Sequence, residues 1–203
     1  MSEEKSNNPE QPASPQPEGF EPLRYFFFDF LKVFLMAVAI IIPVRYFLFQ
    51  PFVVTGDSMR PNFHDGNYLI IDELTYRLRT PARGEVVVMR FPKDPSQFFI
   101  KRIVGLPDER VVVKDGRVTI YNNEHLSGLI LNEPYLSANN ITYGNIDKKL
   151  AASEYFVLGD NRLSSSDSRV WGTLPKDDIV GRVYLRLLPV REFGLFVPAP
   201  VYP

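Results

Sequence analysis

The chain has 203 residues, no cysteine, two histidines and a formal net charge of −1. This length favours one main domain, and the near-neutral charge argues against a nucleic-acid-binding protein because there is no basic excess to meet phosphates. The absence of cysteine rules out disulfides, zinc–thiolate sites and a cysteine nucleophile. No metal or other cofactor is expected, so acid–base chemistry would use a lysine, a carboxylate or a lone histidine.

The N-terminus is rich in proline and polar residues. Residues 1–22 contain five prolines among Glu, Ser, Asn and Gln, with hardly an apolar side chain. Such a stretch buries too little surface to offset the entropy lost on ordering. We therefore predict a disordered tail over residues 1–24, on the cytoplasmic side of a membrane if the next segment is an anchor.

An aromatic and aliphatic segment follows, over residues 25–50. Its uncharged core, Val33–Val44, would span only about 18 Å as a helix, whereas Phe30–Phe49 would span about 30 Å, the thickness of a hydrocarbon core. Lys32 and Arg45 lie near the two ends, where long cationic side chains reach headgroups. We predict a single transmembrane helix; a cleaved signal peptide and a buried core helix are the alternatives.

Residues 51–203 are predicted to form a compact, mainly β, antiparallel and barrel-like domain. Short runs rich in Val, Ile, Phe and Tyr alternate with turn residues, and Asp115-Gly116 between two of them is a strong hairpin signal. The seven predicted strands are Tyr68–Ile71, Glu85–Phe91, Phe98–Val104, Arg110–Val113, Arg117–Tyr121, Tyr155–Leu158 and Ile179–Leu187.

Ser58 is the first residue that could carry chemistry. It lies in Thr55-Gly56-Asp57-Ser58-Met59-Arg60-Pro61, where Gly56 permits backbone angles closed to other residues. A serine in such a loop can present its hydroxyl and its own N–H toward one point, as a nucleophile with an oxyanion donor requires. The alternative is an ordinary turn serine.

Lys101 is the second residue that could carry chemistry. Strand alternation places Phe99, Lys101 and Ile103 on one face, so the lysine is a candidate for burial among apolar neighbours. Burial disfavours the ammonium form, and lowering the pKa to about 8 leaves roughly a tenth of the amine neutral at pH 7, enough for a general base. The alternative is a lysine that reaches solvent from an edge strand.

The third candidate is a polar loop that follows the strand Tyr155–Leu158. It reads Gly159-Asp160-Asn161-Arg162-Leu163-Ser164-Ser165-Ser166-Asp167-Ser168-Arg169. Asp167 and Arg169 are close enough to pair, and several hydroxyls are available to orient a base. A solvated loop is the alternative.

Together, the three segments resemble the signature boxes of bacterial type I signal peptidases, in the same order. The resemblance extends from Phe26 to Val183. The sequence resembles cyanobacterial or Gram-positive members more than enterobacterial ones. It rests on the apolar segment, Pro51-Phe52, Ser58-Met59-x-Pro61, Arg83-Gly84-Glu85-Val86-Val87-Val88, Lys101-Arg102-x-Val-Gly-x-Pro107, the polar loop, and Trp171-Gly172…Gly181-Arg182.

The resemblance implies a role for each matching residue. Ser58 matches the nucleophile and Lys101 the general base. Ser165 matches the hydroxyl that orients the lysine amine, and Asp167 with Arg169 matches a supporting ion pair.

The resemblance also implies where the substrate binds, and two positions depart from the family pattern. Phe52 and Val54 match residues that line shallow apolar pockets, and they alternate on the strand approaching Ser58. Gly56 stands where some members have a serine that contributes to the oxyanion hole, which leaves that role to the Ser58 N–H and a second donor not identified from the sequence. Asn62 replaces the usual threonine after Pro61, so the local hydrogen bonding differs.

A signal peptidase would act on secretory preproteins, cutting after small residues in A-x-A-like sites, next to a lipid bilayer and downstream of the export translocon. The resemblance implies a single-pass protein of the plasma membrane, or of the thylakoid membrane in a cyanobacterium, with an extracytoplasmic catalytic domain. The alternatives are a soluble Ser–Lys self-cleaving regulator and a non-enzymatic adaptor with a β-domain. A Ser–His protease would need a histidine near position 101, and this chain has none there.

Overall fold

The computed structural model describes residues 21–47 and 49–195. The chain divides into two compact units, Met1–Ile42 and Pro43–Pro203. The strands are β1 (Phe49–Val53), β2 (Tyr68–Asp72), β3 (Val86–Phe91), β4 (Asp94–Gly105), β5 (Arg110–Lys114), β6 (Arg117–Tyr121), β7 (Leu129–Ile130), β8 (Ile146–Lys149), β9 (Glu154–Leu158), β10 (Leu174–Pro175), β11 (Ile179–Leu188) and β12 (Gly194–Leu195). The helices are α1 (Glu21–Phe47), α2 (Thr75–Leu78) and α3 (Ser168–Trp171), with 3₁₀ turns at Lys176–Asp178 and Val190–Glu192.

Helix α1 differs from the predicted tail and anchor. It begins at Glu21, so the last four residues of the predicted tail 1–24 are helical, whereas residues 1–20 lie outside the described residues. Pro22 is compatible with this start because proline is tolerated in the first turn of a helix. The helix ends at Phe47, and the final two residues of the predicted anchor 25–50 belong to β1.

The predicted transmembrane helix is not supported by the described residues. Within 21–47 and 49–195, no helix combines the length and the apolar character needed to cross a bilayer. Charged residues occupy the first half of α1, including Asp29 and Lys32, which form a hydrogen-bonded pair at 3.2 Å. The uncharged run that begins at Val33 is correspondingly short.

The second unit, Pro43–Pro203, contains two antiparallel sheets. The large sheet has the order β1-β2-β11-β3-β4-β9-β10, with β12 paired to β11, and the small sheet has the order β7-β6-β5-β8. Each of the seven predicted strands is present within a few residues of its predicted bounds, which confirms the mainly β, antiparallel prediction. The large sheet is an open path with edge strands β1 and β10, in contrast to the barrel-like arrangement expected from the sequence.

The Asp115-Gly116 hairpin is formed as predicted. Lys114 pairs with Arg117, and the two turn residues have φ of 51° and 78°. Both angles are positive, as a two-residue type I′ turn requires.

Strand β4 lies between β3 and β9 in the large sheet, and side chains cover β3 on both faces. Val86 and Val88 pack with Met59 and Phe63 of the connection between β1 and β2. On the opposite face, Val87 and Met89 belong to a second cluster with Ile103, Tyr155, Val157 and Leu174. A third cluster joins the small sheet to the end of β4 and to β9 through Val104, Phe156 and Leu158. The candidate residues on β4 are therefore held by a packed sheet.

Candidate active site

The loop that carries Ser58 connects β1 to β2 and is anchored by its own apolar residues. Met59 is 1% exposed and Phe63 is completely buried in the core. Gly56 has φ of +85°, a conformation that favours glycine, and its N–H donates to Asp65 Oδ1 at 2.8 Å. The loop is therefore fixed on both sides of Ser58, which is itself partly exposed.

Lys101 reaches this loop from β4. Its side chain lies beside the Phe99 ring, with Nζ 5.2 Å from the ring centroid, and the residue is 3% exposed. Nζ donates to Ser58 Oγ at 2.9 Å and to the Ile100 carbonyl at 2.9 Å. The lysine is thus buried among apolar neighbours, as the alternation in β4 predicted, and the edge-strand alternative does not apply.

Burial lowers the pKa of Lys101 from its usual 10.5 to about 8. Desolvation of the ammonium is the main cause, and the negative charges of Asp167 and Asp160 oppose it. An amine with a pKa of about 8 is neutral in roughly a tenth of molecules at pH 7. The arrangement can therefore remove a proton from the Ser58 hydroxyl near neutral pH.

The third loop lies against the first. The Asp167 carboxylate is completely buried and pairs with Arg169 at 2.8 Å, as the spacing predicted, while also accepting from the Gly159 N–H at 3.1 Å. A Cβ at Gly159 would come within 2.5 Å of the Ser58 carbonyl oxygen and 2.2 Å of Ser165 Oγ. Glycine at position 159 thus permits the close approach of the two loops.

Ser165 lies next to the first loop, but its Oγ makes no hydrogen bond to the Lys101 amine. The Oγ is buried and has no hydrogen-bond partner among the described residues. The amine is instead held by Ser58 Oγ and the Ile100 carbonyl. Orientation of the lysine by Ser165 stays a prediction.

Ser58 and Lys101 open into a cleft of about 240 Å³. Phe52 and Val54, the two residues predicted to bound substrate pockets, both line it. The sequence interpretation did not identify the other lining residues, which come from five separate segments: Val53, Thr55, Leu69, Val88, Phe98, Phe99, Ile100 and Ser166. The pairing of β1 with β2, the pairing of β3 with β4 and the approach of the third loop bring these side chains together.

A buried ion pair beside the site was also not predicted. Arg102 binds both carboxylate oxygens of Asp160, at 2.7 and 2.6 Å, and neither side chain is more than 8% exposed. Asn62, the departure from the family pattern, donates to Asp160 Oδ2 at 2.8 Å and to the Tyr135 carbonyl at 2.9 Å. From the sequence, the alternation in β4 shows only that Arg102 lies on the face opposite Lys101. It does not identify Asp160 as the partner.

His64, one of the two histidines of the chain, lies away from Ser58. It lines a separate cavity with Arg60, Pro61 and Asn161. Its Nδ1 is buried and lacks a hydrogen-bond partner within the part of the chain that the structure describes. The group in contact with Ser58 Oγ is therefore the lysine amine.

Comparison with known proteins gives consistent matches over most of the chain. A family model described as signal peptidase, peptidase S26, matches residues 27–188. A signal peptidase I from Leptolyngbya laminosa is 34% identical over 202 residues, covering 96% of this chain and 94% of that protein. A probable signal peptidase I-2 from Synechocystis sp. is 37% identical (81% and 74% covered), and signal peptidase I T from Bacillus subtilis is 33% identical (95% and 97% covered).

Proposed function

The chain belongs to the signal peptidase family, peptidase S26, as a bacterial type I signal peptidase and serine endopeptidase, and from this premise we propose that it removes signal peptides with Ser58 as nucleophile and Lys101 as general base. The observation that carries the proposal is the 2.9 Å contact between Lys101 Nζ and Ser58 Oγ, made by a lysine that is 3% exposed. Its substrates are secretory preproteins emerging from the export translocon.

The proposed reaction begins with the neutral Lys101 amine. The amine takes the Ser58 hydroxyl proton as Oγ attacks the carbonyl carbon of the scissile bond. The resulting ammonium then protonates the departing amine of the mature protein, leaving the signal peptide as an ester on Ser58. Water, deprotonated by the same amine, hydrolyses the ester and restores the serine.

The tetrahedral intermediate carries an oxyanion that requires hydrogen-bond donors. The Ser58 N–H is the proposed donor, and Gly56 supplies no side-chain hydroxyl. The would-be Cβ of Gly56 meets no atom within 4 Å, so the space beside this position is open to the substrate.

Specificity for small residues before the cut is proposed to arise in the cleft of about 240 Å³ beside Ser58. Val54 is 5% exposed and Phe52 is partly buried, so both present fixed apolar walls. A shallow apolar pocket with fixed walls accepts alanine and excludes larger side chains by overlap. The preference for A-x-A-like sites follows from two such pockets on alternate residues of an extended substrate.

We propose that α1 attaches the enzyme to the membrane with the catalytic unit on the extracytoplasmic side. Its described part carries eleven large apolar residues that are 50–71% exposed, an apolar surface that lipid would cover. A single-pass topology with a cytoplasmic N-terminus, in the plasma or thylakoid membrane, stays a prediction. Labelling of cysteines introduced at residues 2 and 114 in sealed vesicles tests it, since this topology leaves only one of them accessible from outside.

The proposed function is tested with the detergent-solubilised full chain and a radiolabelled preprotein. We expect one cut, located after a small residue by N-terminal sequencing of the product. Ser58→Ala should abolish the cut because it removes the nucleophilic oxygen without changing core volume, whereas Ser153→Ala, at an exposed serine, should cleave normally. Cleavage by Ser58→Ala at the wild-type rate would remove Ser58 from the mechanism.

A further inference from the structure

The connection between β7 and β8 contacts the third loop along much of its length. Residues 133–143 of this connection, here called the strap, contribute side chains and carbonyls to hydrogen bonds with residues 159–169. None of the proposed catalytic or substrate-binding residues lies in the strap. The contacts between the strap and the third loop are nevertheless largely buried, which indicates that the strap has a defined position.

Arg162 fastens both ends of the strap. Its guanidinium is completely buried and binds both carboxylate oxygens of Glu133 at one end and the Thr142 hydroxyl at the other. The same guanidinium donates to the Gly159 carbonyl at 3.0 Å. A buried arginine in this position is satisfied only when strap and loop are both in place.

Between these ends, Asn140 binds the loop on either side of a single residue. Its Nδ2 donates to the Asp160 carbonyl, and its Oδ1 accepts from the Arg162 N–H at 2.9 Å. The two bonds fix the peptide units that precede and follow Asn161. An amide side chain is suited to this because it offers a donor and an acceptor together.

Asn161, in turn, holds the backbone of the proposed nucleophile. Its N–H donates to the Ser58 carbonyl at 2.9 Å, and its Nδ2 donates to the Asp57 carbonyl at 3.2 Å. A continuous set of hydrogen bonds therefore runs from the strap, through residues 160–162, to the backbone that carries the Ser58 hydroxyl.

We propose that Asn140 is a positioning residue of the enzyme: by fixing Asn161, its side chain sets where Ser58 stands relative to Lys101. The inference rests on the proposed role of Ser58 as nucleophile. It assigns the strap to the active site, as a support contributed by the small sheet.

Two substitutions at Asn140 test the proposal in the full-length enzyme. Asn140→Ala removes both bonds, and Asn140→Asp keeps the shape but loses the donor to the Asp160 carbonyl. We expect both to lower kcat about 10- to 30-fold with KM within twofold of wild type, because substrate pockets are unchanged while the nucleophile is displaced. Asn139→Ala is the matched control, an exposed neighbour, and should stay within twofold in both constants.

A double-variant cycle separates positioning from general destabilisation. Asn161→Ala removes the side-chain bond to the Asp57 carbonyl but keeps the backbone bond to the Ser58 carbonyl. If Asn140 acts through Asn161, then Asn140→Ala combined with Asn161→Ala should lose less activity than the product of the two single losses. All rates are measured at least 15 °C below each variant's unfolding midpoint. Additive losses, or an equal loss in Asn139→Ala, would overturn the proposal.

A readout independent of cleavage uses the absence of cysteine in the chain. Ser58→Cys introduces one thiol, and its proximity to the Lys101 amine should accelerate alkylation by iodoacetamide at pH 7. Adding Asn140→Ala should slow that alkylation at least threefold, whereas adding Asn139→Ala should not change it. Equal rates in the three proteins would reject positioning by Asn140 even if the wild type cleaves preproteins, and failure of the wild type to cleave would instead reject the proposed function.

Discussion

The environment of Lys101 supports its proposed role as a base near neutral pH. Its buried Nζ is in contact with Ser58 Oγ and lies beside the Phe99 ring, while the charges of Asp167 and Asp160 limit how far the pKa falls. Burial of the ammonium, opposed by these two carboxylates, sets the pKa of Lys101 at about 8.

This environment predicts the pH dependence of cleavage. With the pKa of Lys101 at about 8, kcat/KM should rise about tenfold per pH unit below pH 8 and level off above it. Lys101→Arg should be as inactive as Lys101→Ala, because a guanidinium does not deprotonate in proteins. The control is Lys114→Arg at the exposed end of β5, which should behave as wild type. Near-normal activity in Lys101→Arg would make the lysine a structural cation only.

The same lowered pKa predicts a stability change. The unfolded chain binds a proton at Lys101 up to about pH 10.5 and the folded chain only up to about pH 8. The free energy of unfolding therefore increases with pH between these two values. The cost of burying the amine, about 3 kcal/mol, is fully present below pH 8. Lys101→Met should therefore raise the unfolding midpoint at pH 7, and the gain should shrink toward pH 10.5. Urea denaturation at both pH values measures it, and a gain that does not change with pH would contradict the assignment.

Val54 predicts a change in substrate preference. Val54→Ala enlarges the cleft beside Ser58, so substrates with larger residues before the cut should gain at most about 1–3 kcal/mol in kcat/KM per added methylene relative to alanine. A substrate panel varied at those positions measures the preference. Val190→Ala, at an exposed valine, is the control, and an unchanged preference in Val54→Ala would exclude this residue from the pocket.

At the scale of elements, the β5–β6 hairpin depends on its two turn residues. Gly116 has φ of +78°, and a Cβ there would lie 2.7 Å from Ile141 Cγ2. Gly116→Ala should therefore lower the free energy of unfolding by about 1–2 kcal/mol. Asp115→Asn is the matched control, because asparagine tolerates positive φ equally well. Urea denaturation followed by fluorescence of Trp171, the single tryptophan, measures both, and equal midpoints would contradict the turn assignment.

At the scale of the whole molecule, the exposed apolar residues of α1 predict how the protein partitions. The wild-type chain should remain with membranes after extraction at alkaline pH. The combined change Phe34→Glu and Ile41→Glu places two charges among residues that are 53% and 60% exposed, and should shift the protein to the supernatant. Phe193→Glu, at an exposed residue near β12, is the control and should stay with the membrane fraction. Equal partitioning of all three proteins would remove α1 as the attachment.

Local patterns in the sequence determined which strands form and which residues are chemically relevant. Alternation in β3, β4 and β11 and the Asp115-Gly116 turn are properties of neighbouring residues, so they are visible without a structure. Strands β7, β8, β10 and β12 were not predicted. Three of them have two residues, too few to establish a period, and β8 (Ile146–Lys149) is mostly polar, so the pairing of all four depends on partners elsewhere in the sheets.

Only the tertiary structure decided how those residues meet. Ser58 and Lys101 are 43 positions apart, and their 2.9 Å contact depends on the packing of the β1–β2 loop against β3 and β4. Whether Lys101 is buried or solvated, and whether Ser165 reaches it, are set by distances across the sheet that periodicity does not encode. The strap contact through Asn140 is likewise long-range, because hydrogen bonds between loops follow from how the two sheets pack and leave no repeating signal in the chain.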